Sequence, residues 1–109
     1  MPDPLENRFH HEMLGLYDRA LKEAGYRATR FLAMVSEHGG LETARILIHA
    51  EGVSEGYARL WERGHPELTV EAFVFDHPEY HPLFTPEEHA IVRRRLVEYE
   101  YAPALKGGG

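Results

Sequence analysis

Between Asp3 and Ala24 the apolar residues Leu5, Phe9, Met13, Leu16 and Ala20 recur at helical spacing, and Gly25 stands where a left-handed cap would end the helix. This pattern predicts a long amphipathic helix. Arg27 to Glu37 places Ala28, Phe31, Leu32 and Val35 on one face and runs into Gly39-Gly40, which predicts a second helix. A third is expected over Leu41 to Ala50, with Leu41, Ala44 and Ile48 inward and Glu51-Gly52 as the break. Ser54 then suits the N-cap of a short helix, Glu55 to Arg63, in which Tyr57, Leu60 and Trp61 share a face and Gly64 ends the run.

The stretch Thr69 to Asp76 is the ambiguous one, because Val70, Phe73, Val74 and Phe75 suit a strand as well as a buried helix. A short helix is the better reading: Thr69 can cap it, and a lone strand would have nothing to pair with. Pro78 and Pro82 predict an irregular loop from His77 to Phe84. Thr85-Pro86-Glu87-Glu88 has the form of a capping box and starts a last helix that runs to Glu100. The fold class expected is all-α, a compact single-domain bundle of about six helices over residues 1–106, with the glycine tail 107–109 set apart as flexible. Its expected core is Phe31, Leu32, Val35, Leu47, Leu60, Trp61, Phe73, Leu83, Ile91 and Leu96.

Composition narrows the function classes. Eighteen acidic against twelve basic residues give a formal charge of -6, which favours solubility and works against a long phosphate backbone as main partner. The absence of cysteine removes disulfides, thiolate chemistry and cysteine-bound metal. No apolar run has the length of a membrane span, and the acidic, proline-containing start is unlike a signal peptide, so a cytoplasmic, soluble protein with no membrane partner is expected.

From Phe31 to Leu96 the order of motifs carries a resemblance. Phe31-Leu32-Ala33-Met34-Val35, Gly39-Gly40-Leu41-Glu42-Thr43-Ala44-Arg45, Ser54-Glu55-Gly56-Tyr57, Leu60-Trp61-Glu62-Arg63-Gly64, Leu68-Thr69-Val70-Glu71-Ala72, Leu83-Phe84-Thr85 and Arg95-Leu96 together resemble a bacterial helical domain of unassigned function found in uncharacterised proteins. The resemblance implies an independent module and brings no activity or site residues with it.

Eight histidines raise the question of metal. Asp76, His77, Glu79 and His81 have donor chemistry, but Pro78 and Pro82 remove the helical geometry that would aim them together, and His10-His11 point about 100° apart on a helix. Arg59 and His65 have the spacing of an acid-base pair acting on RNA in helical HEPN-type ribonucleases, but Gly64 ends the helix between them. No catalytic residue, metal ligand or cofactor site is assigned. The segment 41–63 could form a helix-turn-helix, although Glu55 and Glu62 offset Arg59 and Arg63 on the would-be reading helix. Arg95 projects among the inward residues Ile91, Val92, Leu96 and Tyr99, while Glu71 sits in an almost wholly apolar segment, so each needs a buried partner. A structural ion pair Glu71–Arg95 is expected, with Arg30, Arg45 and Arg59 as other partners for the carboxylate. By elimination the function expected is a non-enzymatic interaction or adaptor module that meets a protein partner, or another copy of itself, through a helical surface. Tyr57, Trp61 and Phe84 are the candidate contact residues. The alternative is a nucleic-acid-associated regulator using 41–63.

Overall fold

In the computed structural model, which describes residues 3–106, all the regular structure is helical. Helix α1 (Pro4–Ala24) begins where the Asp3 side chain accepts the Leu5 N–H at 2.9 Å, and it ends at Gly25, whose φ of 63° is the left-handed conformation that a side chain would strain. Its buried stripe is Phe9, Met13, Leu16 and Ala20. Helices α2 (Thr29–His38) and α3 (Gly40–His49) follow, with Gly39 alone between them. Gly40 was expected to belong to the break; instead it opens α3, because this end of the helix lies against α1. A β-carbon there would stand 2.6 Å from the His10 Cα, while the Gly40 N–H donates to His10 Nδ1 at 2.9 Å.

Helix α4 (Glu55–Glu62) starts on the Ser54 hydroxyl, and a 3₁₀ turn (Pro66–Leu68) leads to α5 (Val70–Asp76), capped by the Thr69 hydroxyl on the Ala72 N–H. The ambiguous segment is therefore helical. The proline-bearing stretch expected to be irregular is a 3₁₀ helix, Pro78–Leu83, where Pro78 occupies the first position and needs no N–H partner. The capping box at Thr85 and Glu88 is present and starts α6 (Pro86–Glu98). This helix stops two residues earlier than its pattern suggested, and the short α7 (Ala102–Lys106), which the pattern did not predict, packs on it. Tyr99 therefore caps α6 and is 41% exposed, not inward. The glycine tail 107–109 lies outside the described residues.

Helix α1 packs on α2 and α3, α3 on α6, and α6 on α5. The radius of gyration, 13.1 Å, is that of a single compact domain of this length. Phe9 lies at the centre of one aromatic cluster, with ring centroids 5.3 Å from Tyr80, 5.5 Å from Phe84 and 5.9 Å from Phe73. Of the expected core, Val35, Leu60, Phe73 and Leu96 are buried, whereas Phe31, Leu32, Leu47, Trp61, Leu83 and Ile91 are only partly so. For Phe31 and Leu47 the reason is a cavity that they line.

Candidate ligand-binding cavity

A cavity of about 330 Å³ opens between α1, α2, α3, α4 and the start of α5. Its walls are the natural product of amphipathic helices that meet at only part of their length: Leu16 and Ala20 come from α1, Phe31 and Met34 from α2, Ile46 and Leu47 from α3, Leu60 from α4. Small residues, Ala20, Ala28, Ala50 and Gly56, keep it from being filled. Arg30 and Glu55, both exposed, carry opposite charges, so neither sign dominates the lining.

The polar group that sets the chemistry of the wall is Glu71, which is 2% exposed. Its Oε2 accepts a hydrogen bond from Arg95 Nη1 at 3.1 Å. Arg95 also donates to the carbonyl oxygens of Leu47 at 2.9 Å and Ala50 at 2.5 Å, so one guanidinium joins the end of α3 to α5 and α6. Cations are favoured at a helix C-terminus, where carbonyls lack intrahelical partners. Burial pushes the Glu71 carboxyl above the usual range, outweighing its own backbone N–H and Arg95, which pull it down. Tyr57, also on the cavity wall, directs its hydroxyl to the Arg95 carbonyl at 3.4 Å, and burial followed by the Glu71 charge raises its ionisation well above the ordinary phenol.

The accessible contact face expected at Tyr57, Trp61 and Phe84 is corrected. Tyr57 is 1% and Phe84 7% exposed, and Trp61 is partly covered by Tyr57, Tyr99 and Tyr101. Tyr57 and Trp61 pack inward because they lie on the apolar stripe of α4, and Phe84, in the extended link before α6, packs on Phe9; Tyr57 keeps a place at the candidate site as part of the cavity wall. In the segment 41–63, α3 packs mainly on α1, α2 and α6, and α4 on the 3₁₀ turn 66–68. Arg59 of α4 is drawn to Glu55 and Glu62, and Arg63, just past the end of α4, donates to the carbonyls of Ala24 and Gly25.

A second polar centre escaped the sequence reading. Glu88, 0% exposed, accepts from Arg45 Nε at 2.8 Å, from His49 Nε2 at 2.8 Å and from the Thr85 N–H at 2.8 Å. Burial alone would push this carboxyl up, but the Thr85 N–H, Arg45 and His49 outweigh it and hold it at about 2. The capping-box pattern was the available signal, though it gave no hint of burial.

Metal chemistry has less to build on. In the histidine-rich segment His77 Nδ1 bonds the Phe73 carbonyl and His81 Nε2 the Val74 carbonyl, both at 2.9 Å, while Asp76 accepts from the Tyr101 hydroxyl. These side chains cap the end of α5. Among the described residues, Glu23, His65 and Glu67 bring their donor atoms within 4.8 Å of one another, but Arg19 already engages Glu23 and His65 bonds Glu67. Also among the described residues, no helix is long and apolar enough to cross a membrane. No family model matches the chain, and no curated protein and no solved structure matches it.

Proposed function

We propose that the protein is a non-enzymatic binding module of the bacterial helical class that its motifs resemble, and that its recognition element is the cavity between α1 and α5, which takes a bulky apolar group. The observation that carries this reading is the 330 Å³ apolar cavity with one buried carboxylate in its wall. Apolar pockets of a few hundred Å³ with few, fixed polar groups are the usual form of a binding site for small organic molecules. This reading moves the interaction role expected from elimination away from the aromatic residues first singled out for it and assigns it to the cavity.

The test is a titration with benzene, a small apolar probe for such cavities, followed by ¹H–¹⁵N NMR. Shifts should concentrate on residues 16–20, 28–34 and 54–57. Ile46 lines the cavity and is 37% exposed, so Ile46→Arg should leave the fold intact and abolish the response. Shifts scattered over the surface, or undiminished by Ile46→Arg, would defeat the proposal.

A further inference from the structure

The buried polar side chains of the cavity wall are all engaged within the protein. The Tyr57 hydroxyl donates to the Arg95 carbonyl, the Thr69 hydroxyl donates to the Pro66 carbonyl at 2.8 Å and accepts the Ala72 N–H at 3.1 Å, and Glu71 is paired with Arg95. A polar group of a ligand set against them would lose its water without gaining a partner, so the part of a ligand that enters is hydrocarbon. A methylene group takes up about the volume of a water molecule, about 30 Å³. The cavity of about 330 Å³ therefore accepts a tail of about ten carbons.

The rim is different, because one of its two charges is uncommitted. Glu55 faces Arg59 at 3.8 Å, whereas Arg30, also exposed and also lining the cavity, has no carboxylate partner among the described residues. The backbone around Arg30 adds to its charge. Ala28, Arg30 and Phe31 line the cavity at the start of α2, a helix that has no side-chain cap and no acidic residue in its first turn, whereas α1, α4, α5 and α6 each start with both. The rim thus joins an unpaired guanidinium to the positive end of a helix, which favours an anion there.

Resting on the reading of the cavity as the binding site, we infer that its ligand is a free fatty carboxylate of about ten carbons, with the tail among Phe31, Met34, Leu47 and Leu60 and the head group at Arg30. The tail provides affinity by leaving water, and the head discriminates against neutral molecules of the same length. Because Arg30 is exposed, the carboxylate keeps part of its water and does not pay for burial beside Glu71.

Decanoate, 1-decanol and hexanoate are the deciding probes, measured at neutral pH by ¹H–¹⁵N NMR titration of the whole protein. Decanoate should shift the cavity residues that benzene shifts and, in addition, the amides of Arg30 and Phe31. It should bind about threefold or more tightly than 1-decanol, the scale of an exposed ion pair joined to a helix N-terminus. Hexanoate, four methylenes shorter, should bind at least about tenfold more weakly than decanoate. In Arg30→Glu, a change at an exposed position, the advantage of decanoate over 1-decanol should vanish while 1-decanol binds as before. Equal affinity for decanoate and 1-decanol in the parent protein overturns the inference, as does a preference that survives Arg30→Glu or a hexanoate affinity equal to that of decanoate. If benzene shifts the cavity residues and neither decyl probe does, the inference fails and the reading of the cavity stands. If none of the three does, that reading has failed and the inference falls with it.

Discussion

Replacing Arg95 with methionine removes the guanidinium but keeps a side chain of similar reach. Three acceptors lose their donor at once: Glu71 Oε2 and the carbonyl oxygens of Leu47 and Ala50. The Glu71 and Arg95 side chains are only 3% and 8% exposed, so little water reaches the orphaned carboxylate. Breaking a buried pair by deleting one partner costs about 3–5 kcal/mol, and the two carbonyls place the expected value at the upper end. Against a total stability of about 5–15 kcal/mol for a domain, this is a large fraction, and it should lower Tm by more than ~12 °C. Glu71→Ala should cost about 3 kcal/mol and Glu71→Gln less, since the amide still accepts from Arg95 without a charge to bury. The double variant Arg95→Met, Glu71→Met should recover part of the loss, because an apolar pair replaces an uncompensated charge. Urea unfolding of these four variants and of Glu71→Met, which closes the double-mutant cycle, measures each term beside the parent. A loss under about 1 kcal/mol for Arg95→Met, or strictly additive losses in the double variant, would refute the argument that the pair is desolvated and coupled.

Acid should find a different residue. Glu88 is held at about 2 against an ordinary 4.5, so its stabilisation is complete above pH 4.5 and is lost as pH falls from there towards 2. The loss amounts to about 3 kcal/mol, and Glu88→Gln should flatten this limb of a stability profile measured by urea unfolding between pH 2 and 6. Glu71 titrates in the opposite sense: its folded-state carboxyl is raised, so its contribution is present at low pH and declines as pH rises through that value. Gly40→Ala should destabilise by about 1–3 kcal/mol, because the new methyl would meet the His10 backbone at 2.6 Å; thermal melts check this, and a neutral result would mean that α1 and α3 separate easily. Thr85→Ala, which removes the hydroxyl from the Glu88 N–H, should cost about 1 kcal/mol in the same assay.

The helices were legible because their signals are local. Asp3, Ser54, Thr69 and Thr85 are caps that can be seen without any tertiary information, and each starts a helix by its own side-chain hydrogen bond. The Glu71–Arg95 pairing could be suggested for a similar reason: a charge among apolar residues on a periodic face demands a partner, and few arginines lie on inward faces. Glu88 gave no such warning. Its neighbours Glu87 and His89 are polar, and its burial depends on Arg45 and His49 on α3, whose approach is set by how α3 crosses α6. Tyr99 failed in the other direction, because extending the helical period past Glu98 assumed a helix that had already ended.

The cavity belongs to the part that periodicity does not reach. A hydrophobic face states which side of a helix leaves water, but whether the facing helix comes close enough to fill the space depends on crossing angles and on the sizes of residues from other segments. Phe31 and Leu47 were placed in the core on their spacing, and the same spacing is satisfied when they line a void. Gly40 lets α3 close tightly on α1 at one end, while Ala20, Ala28, Ala50 and Gly56 withhold side-chain volume near the other end of α1. The bundle is thus sealed around Phe9 and Met13 and open around Leu16 and Ala20, along a single helix whose buried stripe is apolar throughout. A stripe of that kind needs only to be covered by something apolar. Over Phe9 the cover is Phe73, Tyr80 and Phe84; beside Leu16 and Ala20 the facing residues, Phe31, Met34, Leu47 and Leu60 among them, stand back from the stripe and leave a cavity with Glu71 in its wall.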